Sequence, residues 1–237
     1  ESKAVIVATG SKAGGFYKGS QNMYQLVKPF GHSCTKLYPA LTKCHCKEEF
    51  FKALAGVRSK ANINLYIENN FYVSEFGEVQ FTKTGISGIP VFQLSGKIAE
   101  ALSEKKKVIV SIDFIPDCKK SSKEIVEERL PIMKTCTVEQ FFTGILHKKR
   151  MSLFVKMAGL KEQETVSAYS PRQLQKVIEL LHDFRTQIVD MEGMENAQVC
   201  RGGIPLSECT DHFMSNYQNG LFMCGELLNV DGVCGGY

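Results

Sequence analysis

A short hydrophobic segment near the start of the chain ends in small residues. Residues 5–7 form a β-branched run (Val-Ile-Val), and Ala8, Thr9 and Gly10 follow directly. Such a run is typical of a parallel-sheet strand that is buried on both faces. Small residues after a strand allow a ligand to approach the backbone closely. We therefore predict a ligand contact at Ala8, Thr9 and Gly10, although the same pattern also occurs in unrelated α/β folds.

A second segment of this kind lies near the other end of the chain. Residues 220–224 form a hydrophobic strand, and Gly225 and Glu226 follow it. A carboxylate at the carboxyl end of a sheet strand can accept hydrogen bonds from ribose or ribityl hydroxyl groups. Glu226 is therefore a candidate binding residue, and the alternative is an exposed charge at the end of a strand.

A glycine-rich stretch follows this strand. Residues 229–237 contain Asp231, Gly232, Gly235 and Gly236. A backbone of this composition either turns tightly or lies close to another group. Its exposed amides could bind a phosphate or the electron-rich edge of a flavin, as helix N-termini bind anions. The alternative is a surface turn.

Cysteine spacing and charge disfavour several other classes of protein. The nine cysteines are scattered, and Cys44-His45-Cys46 lacks the paired spacing of structural zinc sites. We predict no metal site, and reduced thiols in a cytoplasm. The net charge of +4 is not gathered into a basic stripe, so we expect a small-molecule substrate rather than a nucleic acid. No hydrophobic run is long enough to span a membrane.

The pattern between the terminal strands predicts an antiparallel sheet and a helical block. Turn signals occur at 69–70 and 76–77, and 85–88 is a tight loop bounded by glycines. Ser121 begins a capping box, and Pro171 opens a further helix. The predicted strands between the two ends are 34–38, 61–67, 71–74, 78–82, 107–115, 186–191 and 197–200. The predicted helices are 21–30, 91–102 and most of 121–184.

We predict an α+β fold in which partial Rossmann-type segments at both ends flank an insert. The terminal strands would lie side by side in one nucleotide-binding sheet. The insert would contain a β-barrel-like antiparallel sheet and a small helical subdomain. The predicted boundaries are 1–38 and 198–237 for the nucleotide-binding segments, 39–118 and 185–197 for the barrel-like part, and 119–184 for the helical part.

Several motifs occur in an order that resembles a known family. They are Pro39-Ala40-Leu41, Phe81-Thr82 with Gly85-Ile86-Ser87-Gly88, Asn196-Ala197-Gln198-Val199, Gly202-Gly203-Ile204, and Cys224-Gly225-Glu226 through Asp231-Gly232 to Gly235-Gly236-Tyr237. The set resembles the bacterial NAD(P)/FAD-dependent oxidoreductases that include aminoacetone oxidase and the BaiN-type bile-acid enone reductases. This resemblance covers the whole chain. It implies a Rossmann-type FAD domain interrupted by an insert with a barrel-like part and a small helical part.

The resemblance also implies which residues contact FAD. Glu226 matches a strand-end acid for which contact with the ribityl chain is implied, and Gly235 and Gly236 match a loop beside the flavin ring. The predicted cofactor-binding residues are Ala8, Thr9, Gly10, Gly202, Gly203, Gly225, Glu226, Asp231, Gly235 and Gly236.

A loop of the insert is implied to face the substrate side of the flavin. Its predicted residues are Lys83, Thr84, Gly85 and Ser87. Many relatives have Thr-His-Tyr-Gly where this chain has Thr-Lys-Thr-Gly. Lysine keeps its proton well above neutral pH, whereas histidine does not, so an acid–base role of that histidine does not carry over. A second departure is Ser11 after Gly10, where relatives usually have another glycine.

The resemblance implies an oxidoreductase that transfers hydride from NAD(P)H through FAD to an unsaturated or carbonyl-conjugated organic substrate. No residue specifies the substrate or an oligomeric state. A Gly-x-Gly-x-x-Gly phosphate loop does not occur in the chain, so we expect an internal piece of a longer protein that lacks activity by itself. The alternatives are a flavin-dependent oxidase of small amines and a structural or interaction module without cofactor.

Overall fold

The computed structural model describes residues 2–14 and 23–234, and their contacts divide the chain into two units. The terminal unit comprises Glu1–Cys44, Val91–Lys106 and Asp190–Tyr237, and the barrel unit comprises His45–Pro90 and Lys107–Val189. The strands are β1 (Val5–Val7), β2 (Tyr38–Ala40), β3 (Cys44–Cys46), β4 (Arg58–Ile67), β5 (Asn70–Phe81), β6 (Gly85–Ser87), β7 (Val108–Asp113), β8 (Phe184–Met191), β9 (Val199–Arg201) and β10 (Leu221–Met223). The α-helices are α1 (Phe51–Leu54), α2 (Ile89–Ser103), α3 (Ser122–Met133), α4 (Val138–Phe142), α5 (Lys148–Met157) and α6 (Pro171–His182).

The barrel unit is built around a closed barrel with strand order β3-β6-β5-β4-β7-β8. Its central strands pair antiparallel, and every second residue points inward, such as Ala61, Ile63 and Leu65 of β4. Glu68 and Asn69 have φ of +52° and +66°, which closes the β4–β5 hairpin in a two-residue turn. The predicted barrel-like antiparallel sheet is therefore confirmed.

Two glycine-containing segments of the barrel differ from prediction. The predicted turn at 76–77 is wrong, because β5 is one continuous strand with Gly77 opposite Ala61. A Cβ on Gly77 would lie 3.1 Å from Cδ of Pro90, so the glycine there permits close packing instead of a turn. The predicted loop over 85–88 begins with strand β6, which pairs with Gln80 and Phe81 of β5.

The helical block begins with the predicted caps. The Ser121 hydroxyl accepts a hydrogen bond from the Glu124 backbone N–H at 3.2 Å, and the Glu124 carboxylate accepts one from Ser121 N at 2.7 Å. Ser170 and Gln173 form the same capping box at α6, with Pro171 in its first turn. Helix α6 buries one stripe of side chains and packs against α3. The predicted helical region is thus confirmed as α3 to α6.

In the terminal unit, β1 and β10 pair in parallel, with Val5 opposite Leu221 and Val7 opposite Met223. The predicted side-by-side arrangement of the two terminal strands is confirmed. The predicted burial of β1 on both faces is wrong, since Ile6 is 70% exposed. Within the described residues β1 pairs with β10 alone, and of its residues only Val7 packs on the hydrophobic cluster of this unit.

Two further predictions for the terminal unit need correction. The predicted helix over 21–30 consists, over its described part, of the short 3-10 helices Met23–Leu26 and Lys28–Phe30. Pro29 lacks the N–H that an α-helix needs at that position. The predicted strand over 34–38 is displaced to β2, because Thr35 bonds to Gly203 outside any strand ladder.

No helix within residues 2–14 and 23–234 combines the length and hydrophobicity needed to cross a membrane.

Candidate cofactor site

The residues that follow β1 and β10 lie at the same edge of their two-stranded sheet. The N–H of Cys224 donates to the carbonyl of Val7 at 3.1 Å, which continues the parallel pairing to this edge. Gly10 and Gly225 have φ of +74° and +72°, and a Cβ on either would meet no described atom within 4 Å. These glycines therefore supply left-handed backbone beside open space, where a ligand can approach closely.

Glu226 reaches this edge from the 3-10 helix Gly225–Leu227, one turn past the strand. The Ser11 hydroxyl donates to Oε2 of Glu226 at 2.6 Å, and Ser11 is 5% exposed. A carboxylate has about four lone-pair sites, so Glu226 can accept further hydrogen bonds. Ser11 is not among the predicted site residues. Its departure from the glycine of the relatives was the only signal in the sequence, and the structure shows that the serine orients the candidate acid.

Two buried hydroxyl groups of the terminal unit have no hydrogen-bond partner among the described residues. They are Oγ1 of Thr9 and the phenol oxygen of Tyr24. Burial, together with the nearby Cys200, Cys34 and Glu226, raises the pKa of Tyr24, so this phenol stays protonated as a donor. A buried unsatisfied hydroxyl costs about 1–3 kcal/mol. Thr9 follows β1 at this edge and its hydroxyl lacks a polar partner, so the residues present fit a polar cofactor such as FAD.

Thr9 was predicted as a site residue from its place after β1, and Ala8 beside it is exposed. Tyr24 was not predicted. It lies in a segment whose hydrophobic stripe suggested a helix, and nothing in that pattern marks its hydroxyl.

The predicted pair Gly202 and Gly203 faces protein backbone instead of open space. A Cβ on Gly202 would lie 2.3 Å from the carbonyl oxygen of Lys36, and one on Gly203 would lie 2.7 Å from that of Leu227. Thr35 further fixes Gly203 by donating its N–H to the Gly203 carbonyl at 2.9 Å. Close packing against protein backbone therefore requires glycine at both positions. The contact of these glycines with a flavin stays a prediction.

Asp231 lies in the exposed segment that follows Leu228. Its Oδ2 accepts a hydrogen bond from Nη1 of Arg201 at 3.1 Å, so its first partner is a side chain of β9. Gly235 and Gly236 lie outside the described residues.

The predicted substrate-side residues all belong to the barrel unit. Lys83 and Thr84 are exposed in the turn between β5 and β6, and Gly85 and Ser87 lie in β6. Thr84 Oγ1 is 2.8 Å from Nδ1 of His45, a β3 residue that was not predicted for this loop. The imidazole of His45 therefore lies beside the loop, although the loop itself contains Lys83 in place of a histidine.

The Cys44-His45-Cys46 motif forms strand β3. Cys44 is buried, and burial raises the pKa of the Cys46 thiol to about 12. In the described part of the chain, no group of three or more histidine, cysteine, aspartate or glutamate residues could hold a metal ion.

The sequence was compared with known families and proteins. The profile of the family described as "HI0933-like protein barrel and H2TH domain" matches residues 38–199. The chain belongs to the HI0933-like family. Its matched region contains the closed barrel, and the predicted family resemblance is confirmed.

Three curated relatives match the HI0933-like chain over nearly its whole length. The 3-dehydro-bile acid delta(4,6)-reductase of Clostridium scindens is 35% identical over 235 residues, which are 98% of this chain and 58% of that protein. The ribosomal RNA dihydrouridine synthase of Haemophilus influenzae is 27% identical, over 99% of this chain and 56% of that protein. That of Escherichia coli is 25% identical, over 98% and 56%. The chain thus spans a little over half the length of the curated relatives it matches.

The HI0933-like chain also contains a buried serine–histidine–glutamate arrangement, formed by Ser215, His32 and Glu208. His32 Nε2 is 2.7 Å from Ser215 Oγ, and His32 Nδ1 is 2.9 Å from Glu208 Oε2. Ser215 Oγ already accepts the N–H groups of Tyr217 and Gln218, each at 3.0 Å. Its proton must therefore go to Nε2, which leaves Nδ1–H to donate to the glutamate.

This saturated network is structural. Ser215, His32 and Glu208 are 3%, 5% and 9% exposed, and the serine has no lone pair left with which to attack a substrate. Ser33 donates its N–H and its hydroxyl to Glu208 as well. Although burial acts to raise the pKa of Glu208, the bonds from Ser33 and His32 outweigh it and hold that pKa below its ordinary value. The network connects His32 and Ser33 to the segment 208–218 by hydrogen bonds.

Proposed function

We propose that this chain contributes to a FAD-dependent oxidoreductase that reduces a carbon–carbon double bond conjugated to a carbonyl group in a small organic substrate, with NAD(P)H as electron donor. The observation that supports this most is the parallel pairing of β1 with β10. It brings Gly10, Gly225 and the Ser11–Glu226 pair to one edge, as Rossmann-type flavin sites require. The proposal thus includes a Rossmann-type sheet of which these strands form a part.

The names of the relatives support the reaction class. A 3-dehydro-bile acid with delta(4,6) double bonds has those bonds conjugated to a ketone. Formation of dihydrouridine saturates a ring double bond that is conjugated to a carbonyl. Each reduction adds a hydride to a carbon whose double bond is conjugated to the carbonyl, directly or through a second double bond, and a proton then completes the saturation. We assign the same chemistry to the protein that contains this chain, and the higher identity of the reductase favours a small substrate.

The residues of the chain would hold the cofactor and supply protons. FAD, when bound, supplies the hydride transfer. The backbone at Gly10 and Gly225 leaves room for it, and Glu226 would accept a hydrogen bond from a ribityl hydroxyl. The hydroxyl of Tyr24 would be available to donate a hydrogen bond to the cofactor. At the substrate-side loop, the imidazole of His45 is a group that can carry a transferable proton.

Flavin absorbance tests the reductase proposal. The protein expressed from its natural gene is purified with FAD and mixed anaerobically with NADH or NADPH, and then with a conjugated enone. We expect the flavin absorbance to bleach and then to recover as the enone is consumed. If neither nicotinamide bleaches the flavin, the proposal fails. The variant Glu226→Ala should weaken FAD binding, whereas Glu192→Ala, which removes an acid paired with Lys43 in the same unit, should not.

Ribosomal RNA is a second candidate substrate. The dihydrouridine synthases suggest it, and residues 147–150 place consecutive basic residues at the start of α5, where the helix dipole disfavours positive charge. The Lys148 side chain is 83% exposed. A deletion strain whose ribosomal RNA loses a dihydrouridine would support this substrate. Unchanged dihydrouridine content, with turnover of a free enone, would exclude it.

The remaining alternatives have direct tests. A small-amine oxidase would produce peroxide in air without NAD(P)H. A structural module without cofactor would leave the flavin spectrum unshifted when this chain is mixed with FAD. We also propose a cytoplasmic location, because all nine cysteines are free thiols in the structure.

A further inference from the structure

The exposed segment 229–234, which leads into the predicted flavin loop, is held by bonds at its beginning, middle and end. The N–H of Asn229 donates to the carbonyl of Ile204 at 2.8 Å. Asp231 Oδ2 accepts from Arg201 Nη1 at 3.1 Å. The N–H of Cys234, directly before Gly235, donates to Oε1 of Gln93 at 2.9 Å. Two of these three bonds come from side chains outside the segment.

We infer that Arg201 and Gln93 are positioning residues that fix the segment 229–234 and thereby Asp231, one of the predicted cofactor-binding residues. This inference rests on the proposed function for its consequence on FAD, but not for its consequence on the segment itself.

Arg201 is itself held in place before it reaches Asp231. It lies on β9 opposite Tyr38 of β2. Its Nε is 3.7 Å from Oε2 of Glu100, which also binds Lys97 Nζ at 3.1 Å. A guanidinium group is planar and its donors are fixed in direction, so one arginine can join two carboxylates in a defined geometry.

Helix α2 leaves space for the aliphatic part of the Arg201 side chain. A Cβ on Gly96 would lie 2.9 Å from Cδ of Arg201, so the absence of a side chain at Gly96 lets the arginine cross the helix. Residues 93, 96, 97 and 100 follow an i, i+3, i+4, i+7 pattern, which places them along one face of α2. Helix α2 therefore holds the end of the segment 229–234 directly, through the bond from Cys234 to Gln93. It holds the middle of the segment indirectly, through Arg201 and Asp231.

The competing explanation is an ordinary surface ion pair. Exposed pairs contribute little to stability and would not fix the segment. The Lys43–Glu192 pair of the same unit, at 2.8 Å, provides a matched control. It is a lysine–glutamate contact for which the described part of the chain shows no bond to the 229–234 segment.

Hydrogen–deuterium exchange of this chain without flavin gives the first test. We expect Arg201→Ala and Gln93→Leu each to accelerate exchange of amides in 229–234 about fivefold, since local opening follows the loss of a tethering bond. Arg201→Lys should restore part of the protection, and Lys43→Ala should change nothing there. Unchanged exchange in both Arg201→Ala and Gln93→Leu would overturn the inference. Far-UV circular dichroism verifies that each variant is folded, and Asp231→Ala, which removes the other partner, serves if Arg201→Ala does not fold.

A double-mutant cycle in the protein expressed from its natural gene gives the second test. We expect Arg201→Ala to weaken FAD binding about tenfold, and to add no further loss in an Asp231→Ala background, because the arginine acts through that aspartate. Additive losses would overturn the positioning role. If the wild-type protein binds no FAD, the proposed function fails, while the exchange experiment still decides whether Arg201 and Gln93 fix the segment.

Discussion

The two kinds of glycine near the candidate site should respond very differently to alanine. Gly203 has φ of +143°, and its Cβ would lie 2.7 Å from both the Leu227 oxygen and the Leu228 carbonyl carbon. Gly225 has φ of +72° and open space at the same position. We predict that Gly203→Ala destabilises the terminal unit far more than Gly225→Ala, although both glycines were predicted as cofactor contacts.

The magnitude follows from the contacts that must separate. At Gly225 the only cost is a left-handed conformation, about 1–2 kcal/mol. At Gly203 the strain is about 1–3 kcal/mol. In addition, the two backbones must move apart, which stretches the bond from Ile204 N to Leu227 O at 3.0 Å and the bond from Asn229 N to Ile204 O at 2.8 Å. Each is worth about 0.5–1.5 kcal/mol, so the total loss for Gly203→Ala is about 4 kcal/mol.

Thermal unfolding followed by circular dichroism measures this difference. A loss of 1 kcal/mol lowers the melting temperature of a chain of this size by about 2–4 °C. We therefore expect Gly203→Ala to melt about 10 °C below the wild type and Gly225→Ala about 4 °C below it. Equal melting temperatures for the two variants would refute the reasoning, because they would show that the backbone of 227–228 does not lie against Gly203.

Three further changes test other parts of the structure by their effect on the free energy of unfolding in urea. Arg150→Met should stabilise the barrel unit by about 1 kcal/mol, because Nε and Nη1 of Arg150 are buried without a partner in the described chain. Its position 4.5 Å from the Phe114 ring offsets only part of that cost, and a lower stability would contradict this account. Ser215→Ala should cost about 2–4 kcal/mol, since it removes the partner of His32 and of two amides, and a loss below about 1 kcal/mol would contradict the network. Because the folded pKa of Glu208 is lowered, its carboxylate stabilises the protein above the ordinary carboxyl pKa and loses this effect as pH falls below about 4. The stability difference between the wild type and Glu208→Gln should shrink over that range, and a constant difference would argue against it.

The sequence predicted the barrel and the pairing of the terminal strands because both leave a local pattern. Alternating burial marks β4, and a β-branched run followed by small residues marks β1. The prediction of turns failed at glycine, because a glycine in the sequence is compatible both with a turn and with a close contact inside a strand. Gly77 is a contact glycine, and only its proximity to Pro90 distinguishes the two cases. The residues around Gly77 in the sequence do not indicate that Pro90 packs against it.

The candidate site was predictable in outline but not in its partners. The position of Glu226 after a strand marks it as a candidate, whereas the serine that orients it is 215 residues away in the chain. Tyr24 is part of the hydrophobic cluster of the terminal unit, and nothing in the sequence distinguishes its hydroxyl from that of any other tyrosine. The unpaired hydroxyl of Tyr24 can be identified only from the three-dimensional structure, which shows both its burial and its lack of a hydrogen-bond partner.

The same long-range contacts that stabilise the terminal unit also form its candidate site. The barrel unit separates the first segment of the terminal unit from its last, so the contacts between those segments close very long loops. They include the β1–β10 pair, the bond from Ser11 to Glu226, the His32–Glu208 bond and the approach of Thr35 to Gly203. Contacts of such sequence separation form late, since loop-closure entropy must be overcome first. The edge that carries Gly10 and Gly225 therefore exists only after these segments have met. Changes at residues that stabilise these contacts, such as Ser215 or Gly203, should consequently reduce the fraction of molecules able to bind a cofactor.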